Sequence, residues 1–205
     1  MALGFSTETS SGGDILPIIK YDAKAGDFIR QDRMQDATGQ WVKDESEMAL
    51  PVKVAMDIDA LEVGWLSFAS GAPDFRMVKV GEPMPQKPEG DFKNAFRVRI
   101  ASKDLGLREF SHSAKTVLRA MDELHNQFVA EKASNPGKIP VVEISGTTPV
   151  KVNTPQGELR FKAPAWSIVQ WIDKPASMSG GQAEAAPEPA PAPAPSPAAS
   201  DDDLF

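Results

Sequence analysis

The chain is predicted to be mainly β, with one long helix and a separate C-terminal tail. Three observations carry this. Short runs alternate apolar with polar residues and are rich in β-branched side chains. Residues 113–132 repeat apolar side chains at three- and four-residue spacing. After Pro175 the chain becomes a Pro-Ala repeat that supports neither helix nor sheet ladder.

In order along the chain, residues 15–21 and 27–33 form a candidate strand pair around Ala25-Gly26. Residues 52–58 (VKVAMDI) and 62–69 (EVGWLSFA) read as a hairpin or meander. Residues 71–91 are rich in Pro and Gly, so a long exposed loop is expected there, with a short strand at 76–80. Residues 94–101 (NAFRVRIA) alternate, with Phe96, Val98 and Ile100 on one face and Arg97 and Arg99 on the other. The helix comes next, its stripe made by Ala114, Val117, Leu118, Met121, Leu124, His125, Phe128 and Val129. Ser111 or Ser113 would cap its start, and Asn135-Pro136-Gly137 stops the chain from continuing as helix. Residues 141–145, 149–153, 158–162 and 166–172 read as four short strands, with Pro155-Gln156-Gly157 as a turn. Trp166 and Trp171, five apart, should fall on opposite faces of the last one. Strands, then a helix, then further strands is the order of an OB-fold, so an OB-fold-like β-barrel over residues 15–174 is expected. A flexible N-terminus, 1–14, precedes it. A disordered Pro/Ala-rich linker, 175–200, and a short tip, 201–205, come after it.

Composition narrows the function classes. The 205 residues are 41% apolar and 25% charged, the balance of a soluble globular protein. With no Cys, disulfides, thiolate metal sites and thiol nucleophiles are excluded. No apolar run approaches the roughly 18 residues that cross a bilayer. The N-terminus lacks a basic stretch ahead of an apolar core, so a cytoplasmic protein is expected. The net charge of −7 is unevenly spread: residues 1–75 carry −7, residues 76–119 carry +5, and residues 175–205 carry −5. A basic middle and an acidic appendage suggest a surface for polyanions and a separate recruiting element.

Catalytic constellations are missing. The chain has no glycine-rich phosphate loop. His112 and His125 are too far apart to share a metal on one helix face, and His125 falls on the apolar stripe. Asp57 and Asp59, with Glu62 nearby, have a spacing that could hold Mg²⁺ in a nuclease. The solvated face and turn of a hairpin is the favoured reading of the three. Ser111, Ser113 and Lys115 do not have the Ser-x-x-Lys spacing. No cofactor, no metal and no enzymatic activity are expected.

A binding surface is better supported. Unpaired nucleic acid is held by cations along its backbone and by aromatic faces under its bases. Lys93, Arg97 and Arg99 share one face of a predicted strand, and three cations in a row repel one another unless a polyanion covers them. Phe92 could stack a base. Arg160 and Lys162 repeat the arrangement on a later strand, while Arg76 and Lys79, with Lys87, Lys103 and Arg108, extend the cationic area. Trp65 is a further candidate platform, and Trp41 lies in a hydrophilic stretch.

The C-terminus, PEPAPAPAPSPAASDDDLF, resembles that of bacterial and phage replication single-stranded-DNA-binding proteins, in which a basic OB-fold core is followed by a disordered linker and an acidic tip ending in an aromatic residue. Leu204 adjoins Phe205 directly, where the usual bacterial tip has a Pro before its Phe, and the body is closer to divergent phage forms. The resemblance implies a protein that coats single-stranded DNA in replication or recombination, in the host cytoplasm if phage-encoded. It also implies that Asp201, Asp202, Asp203, Leu204 and Phe205 bind partner proteins in a basic, apolar pocket. Self-association is compatible with it. The rival expectation is a β-rich phage structural or assembly adaptor whose acidic tail docks another subunit.

Overall fold

The computed structural model describes residues 16–154 and 157–179. Its strands are β1 Ile18–Asp22, β2 Asp27–Gln35, β3 Trp41–Glu47, β4 Val52–Met56, β5 Glu62–Ser67, β6 Asp74–Lys79, β7 Lys93–Ser102, β8 Gly106–His112, β9 Lys138–Thr154 and β10 Gly157–Asp173. Helix α1, Lys115–Lys132, lies between β8 and β9, and a short helix α2, Ala176–Ser179, succeeds β10. The protein is mainly β. Its strands make one mixed sheet in the order β10-β9-β4-β7-β8-β1-β2-β3, with β5 also on β7 and β6 beyond β5.

One face of this sheet is the core. Phe96, Val98 and Ile100 of β7 point inward, as their alternation predicts, and meet Val54, Phe28, Phe110 and Val142 from neighbouring strands. Helix α1 covers them with Val117, Met121, Leu124 and Phe128. Three polar ties fix it to β10: Trp166 Nε1 donates to the Ala120 carbonyl (2.9 Å), the Ile168 N–H to Gln127 Oε1 (3.2 Å), and Trp171 Nε1 to Glu131 Oε2 (3.0 Å). Phe128 stacks on Trp171 at 5.6 Å. Both indoles therefore face the helix, although they are five apart. The reason is a register shift: Ile168 pairs with Val142 and Gln170 with Val141, so Val169 is the extra residue of a β-bulge.

The opposite, outer face is covered at one end. Ala55, Ala101 and Ile139 make a shallow seat, and Met178 of α2 fills it at 3% exposure. The ordered body thus runs past Pro175, where the sequence places the start of the linker. Lys174 reaches in beside this helix and pairs with Asp57 (2.6 Å), a residue only 1% exposed. The sheet also curls. The Lys162 N–H of β10 donates to the Ala23 carbonyl in the β1–β2 turn (2.7 Å), and Tyr21 Oη donates to the Lys162 carbonyl (2.9 Å).

Several expectations need correction. The four short strands after the helix are two strands of 17 residues each; Gly146, Pro149 and Pro164 interrupt the alternation without breaking the ladder. Residues 155 and 156 of the predicted turn lie outside the described residues, as do residues 1–15 and 180–205. Strands β3 and β8 are additions to the sequence expectation. Neither Ser111 nor Ser113 caps α1; its N-cap is Ala114, whose N–H donates to His112 Nδ1 (2.9 Å).

Candidate nucleic-acid interface

Strand β7 sets the site. Its pleat sends Lys93, Ala95, Arg97 and Arg99 to the outer face because Phe96, Val98 and Ile100 are needed in the core. Antiparallel pairing then brings matching residues of β5, β6 and β8 alongside. Arg97 lies level with Glu62, Lys79 and Ser111, Arg99 with Glu109, and Lys93 with Leu66 and Phe75.

Arg97 is not the free cation that its spacing implied. Its guanidinium bonds Glu62 at 2.6 Å, comes within 3.9 Å of Glu109, and lies 5.1 Å from the centroid of the Phe75 ring. Burial pushes the Glu109 carboxyl up from its ordinary range; Arg97 opposes this, Glu62 reinforces it, and Arg99 opposes it. The row of cations is thus relieved by two carboxylates, Glu62 on β5 and Glu109 on β8. Lys93, Arg99 and Lys79 remain exposed with no salt bridge among the described residues.

Next to Lys93 the outer face opens into a groove of about 410 Å³ lined by Leu66, Phe68, Ala69, Asp91, Lys93 and Ser113. Phe68 is 62% exposed, so an aromatic ring and an ammonium group border one concave surface. The backbone is tight beside it. A Cβ on Gly64 would overlap the Arg76 carbonyl oxygen and stand 2.9 Å from Met77 Cα, so β6 crosses β5 too closely for any side chain there.

Other predicted residues are placed elsewhere. Trp65 pairs with Asn94 and Arg76, one residue out of phase with Arg97, so these three point to the face that carries Phe96 and Val63. The Trp65 indole N–H donates to the Pro85 carbonyl (2.9 Å), and the Lys87 ammonium sits 5.9 Å from the ring. The segment 85–87 therefore lies against Trp65. Arg76 pairs with Asp74 (3.2 Å), and Phe92 is half-buried just before β7.

Arg160 and Lys162 do not extend the β7 row. Strands β4 and β9 separate β10 from β7, and up to the bulge at Val169 the even-numbered residues of β10 point to the side of Trp166, towards α1. Lys162 Nζ donates to the Ala25 carbonyl (2.6 Å), and its stem fills the space that leaves room only for glycine at Gly26. Its role in the fold is to pin the β1–β2 turn. Arg160 pairs with Glu158 (3.2 Å). Arg108 is 2% exposed and bonds Asp32 (2.7 Å) and the Leu105 carbonyl (2.7 Å), so it belongs to the interior.

The three acids of the metal reading do not converge. Asp57 pairs with Lys174, Asp59 with Lys132, and Glu62 with Arg97. Asp57 is also buried, not on a solvated face. Among the described residues no group of three or more His, Asp or Glu is placed to hold a metal ion. Nor is any helix among them long and apolar enough to cross a membrane. The partner-binding residues Asp201 to Phe205 lie outside the described residues.

Sequence reasoning singled out Trp41 but missed the strand that carries it and the cations beside it. Trp41 on β3 is 69% exposed, and Arg33 of β2 lies directly opposite Lys43 of β3. No alternation marks β3, because all seven of its residues are exposed. No protein family, curated protein or solved structure matches the chain.

Proposed function

We propose that this chain is a non-enzymatic single-stranded-DNA-binding protein that coats exposed strands in replication or recombination. One observation carries the reading: a groove bordered by the exposed Phe68 ring and the Lys93 ammonium opens on the outer face of β5 and β7, and the exposed Lys79 and Arg99 lie further along that same face. Bases would stack at Phe68 while the exposed cations take phosphates. A curled sheet whose β10 touches the β1–β2 turn supports an OB-fold-like barrel as its frame. The acidic tip, residues 201–205, would recruit replication or recombination proteins. Tethered near a cationic face at an effective concentration on the order of millimolar, it would also compete with DNA.

The test is a gel shift with oligo(dT) against the matching duplex, using the full chain and a form lacking residues 197–205. Preference for the single strand is expected, and truncation should tighten binding at low salt. A protein that ignores oligo(dT) in both forms sinks this reading. The phage adaptor is then the better one, and the exposed Met34 and Val42, opposite each other on the β2–β3 hairpin, favour it.

A further inference from the structure

We infer that the β2–β3 hairpin is a second contact arm for the same single strand, with Trp41 stacking a base and Arg33 and Lys43 taking the flanking phosphates. This rests on the single-strand reading above and extends it to residues that reading does not use.

The strand register carries the argument. Arg99 lies level with Glu109, Glu109 with Ile18, Ile18 with Gln31, and Gln31 with Glu45. Residues that pair directly share a face, so the outer face of β7 continues without a break to β3. Two and four residues further out along β2 come the pairs Arg33 with Lys43 and Gln35 with Trp41, on that same face. The salt bridge between Lys20 and Glu45 (2.6 Å) agrees, since both belong to this face. Four inter-strand steps separate β7 from β3, about 19 Å measured across the sheet.

On each face of the hairpin one like-charged pair stands directly opposed. Arg33 opposes Lys43 on the outer side, while Asp32 opposes Asp44 on the other. Like charges set directly opposite one another destabilise a strand pair. Asp32 is relieved by Arg108 and Arg30. Arg33 and Lys43 have no salt bridge among the described residues; on their face Glu45 is taken by Lys20, and Glu47 stands at the hairpin's root. The pair is tolerated beside an indole that buries little of its surface. A strand of phosphates and bases satisfies both needs at once, whereas an acidic protein surface satisfies only the cations.

Anisotropy titrations of the full chain with oligo(dT) and oligo(rU), over a range of salt, test the arm. Trp41→Ala should weaken binding about tenfold, as loss of one stacked base does. Arg33→Ala with Lys43→Ala should lower the salt slope by about 1.4, at roughly 0.7 per released contact. Met34→Ser, at the same tip on the opposite face, should leave affinity unchanged. Loss with either strand supports the arm and identifies the sugar it prefers. Wild-type affinity and slope in the arm variants, with Lys93→Ala and Arg99→Ala still weakening, would overturn it. Equal losses from Trp41→Ala and Met34→Ser would overturn it too, because then the tip and not its face matters. If wild-type protein binds neither strand, the single-strand reading itself has failed and the arm goes with it.

Discussion

Arg97 on β7 and the Arg33–Lys43 pair on the β2–β3 hairpin lie on one face of one sheet. Arg97 sits between two carboxylates and an aromatic ring; the hairpin pair faces solvent and forms no salt bridge among the described residues. Arg108, 2% exposed and bonded to Asp32, is the extreme of the first kind. A cation's place in the sequence says little about what it does. Its partners decide whether it holds the fold together or remains available to a ligand.

The largest test of this contrast is stability. Asp32→Ala strands the buried Arg108 guanidinium and should cost about 3 kcal/mol in denaturant unfolding, towards the low end for a broken buried pair because Asp32 is partly exposed. Arg33→Ala should stay within about 0.5 kcal/mol. Equal losses would erase the distinction.

A subtler test separates neighbours on β7. Arg97→Ala should cost about 1 kcal/mol, since its ion pairs are partly open to solvent, and should barely alter the salt dependence of binding. Arg99→Ala should leave stability unchanged and flatten the salt slope by about 0.7. The double variant should therefore flatten it by about 0.7 and not by about 1.4.

The smallest effect is a pH dependence from the interior. Burial pushes the His112 pKa down from 6.5, while its hydrogen bond with the Tyr21 carbonyl and the nearby Asp22 charge resist that shift. The folded state therefore binds this proton less readily than the unfolded chain does. Stability is fully present above about pH 6.5 and declines as pH falls below it. Glu109, pushed up by burial, works with the opposite sign, losing its stabilising effect as pH rises through the carboxylate range. A denaturation series should lose the His112 contribution to the slope in His112→Gln; an unchanged slope would show that His112 does not cause it.

How much of this is legible in the sequence depends on where each constraint lies. The alternation of β7 and the stripe of α1 are readable because a single core face dictates both. Strand β3 is not: with every residue exposed, nothing forces a period of two. The relief of Arg97 is equally hidden, since Glu62 lies 35 residues away and meets it only through the β5–β7 register. Arg108 and Lys162 pass for surface cations for the same reason. Long side chains look alike in a sequence whether they end in water or on a carbonyl.

The bulge at Val169 has a last consequence. A pleated ribbon keeps time in steps of two, so an odd interval puts two side chains out of phase unless one beat is dropped between them. Val169 is that dropped beat, and it lets both indoles clasp the helix. The constraint there concerns the count of residues more than their kind: position 169, half open to water, can change its chemistry freely but cannot be deleted without turning one tryptophan outward.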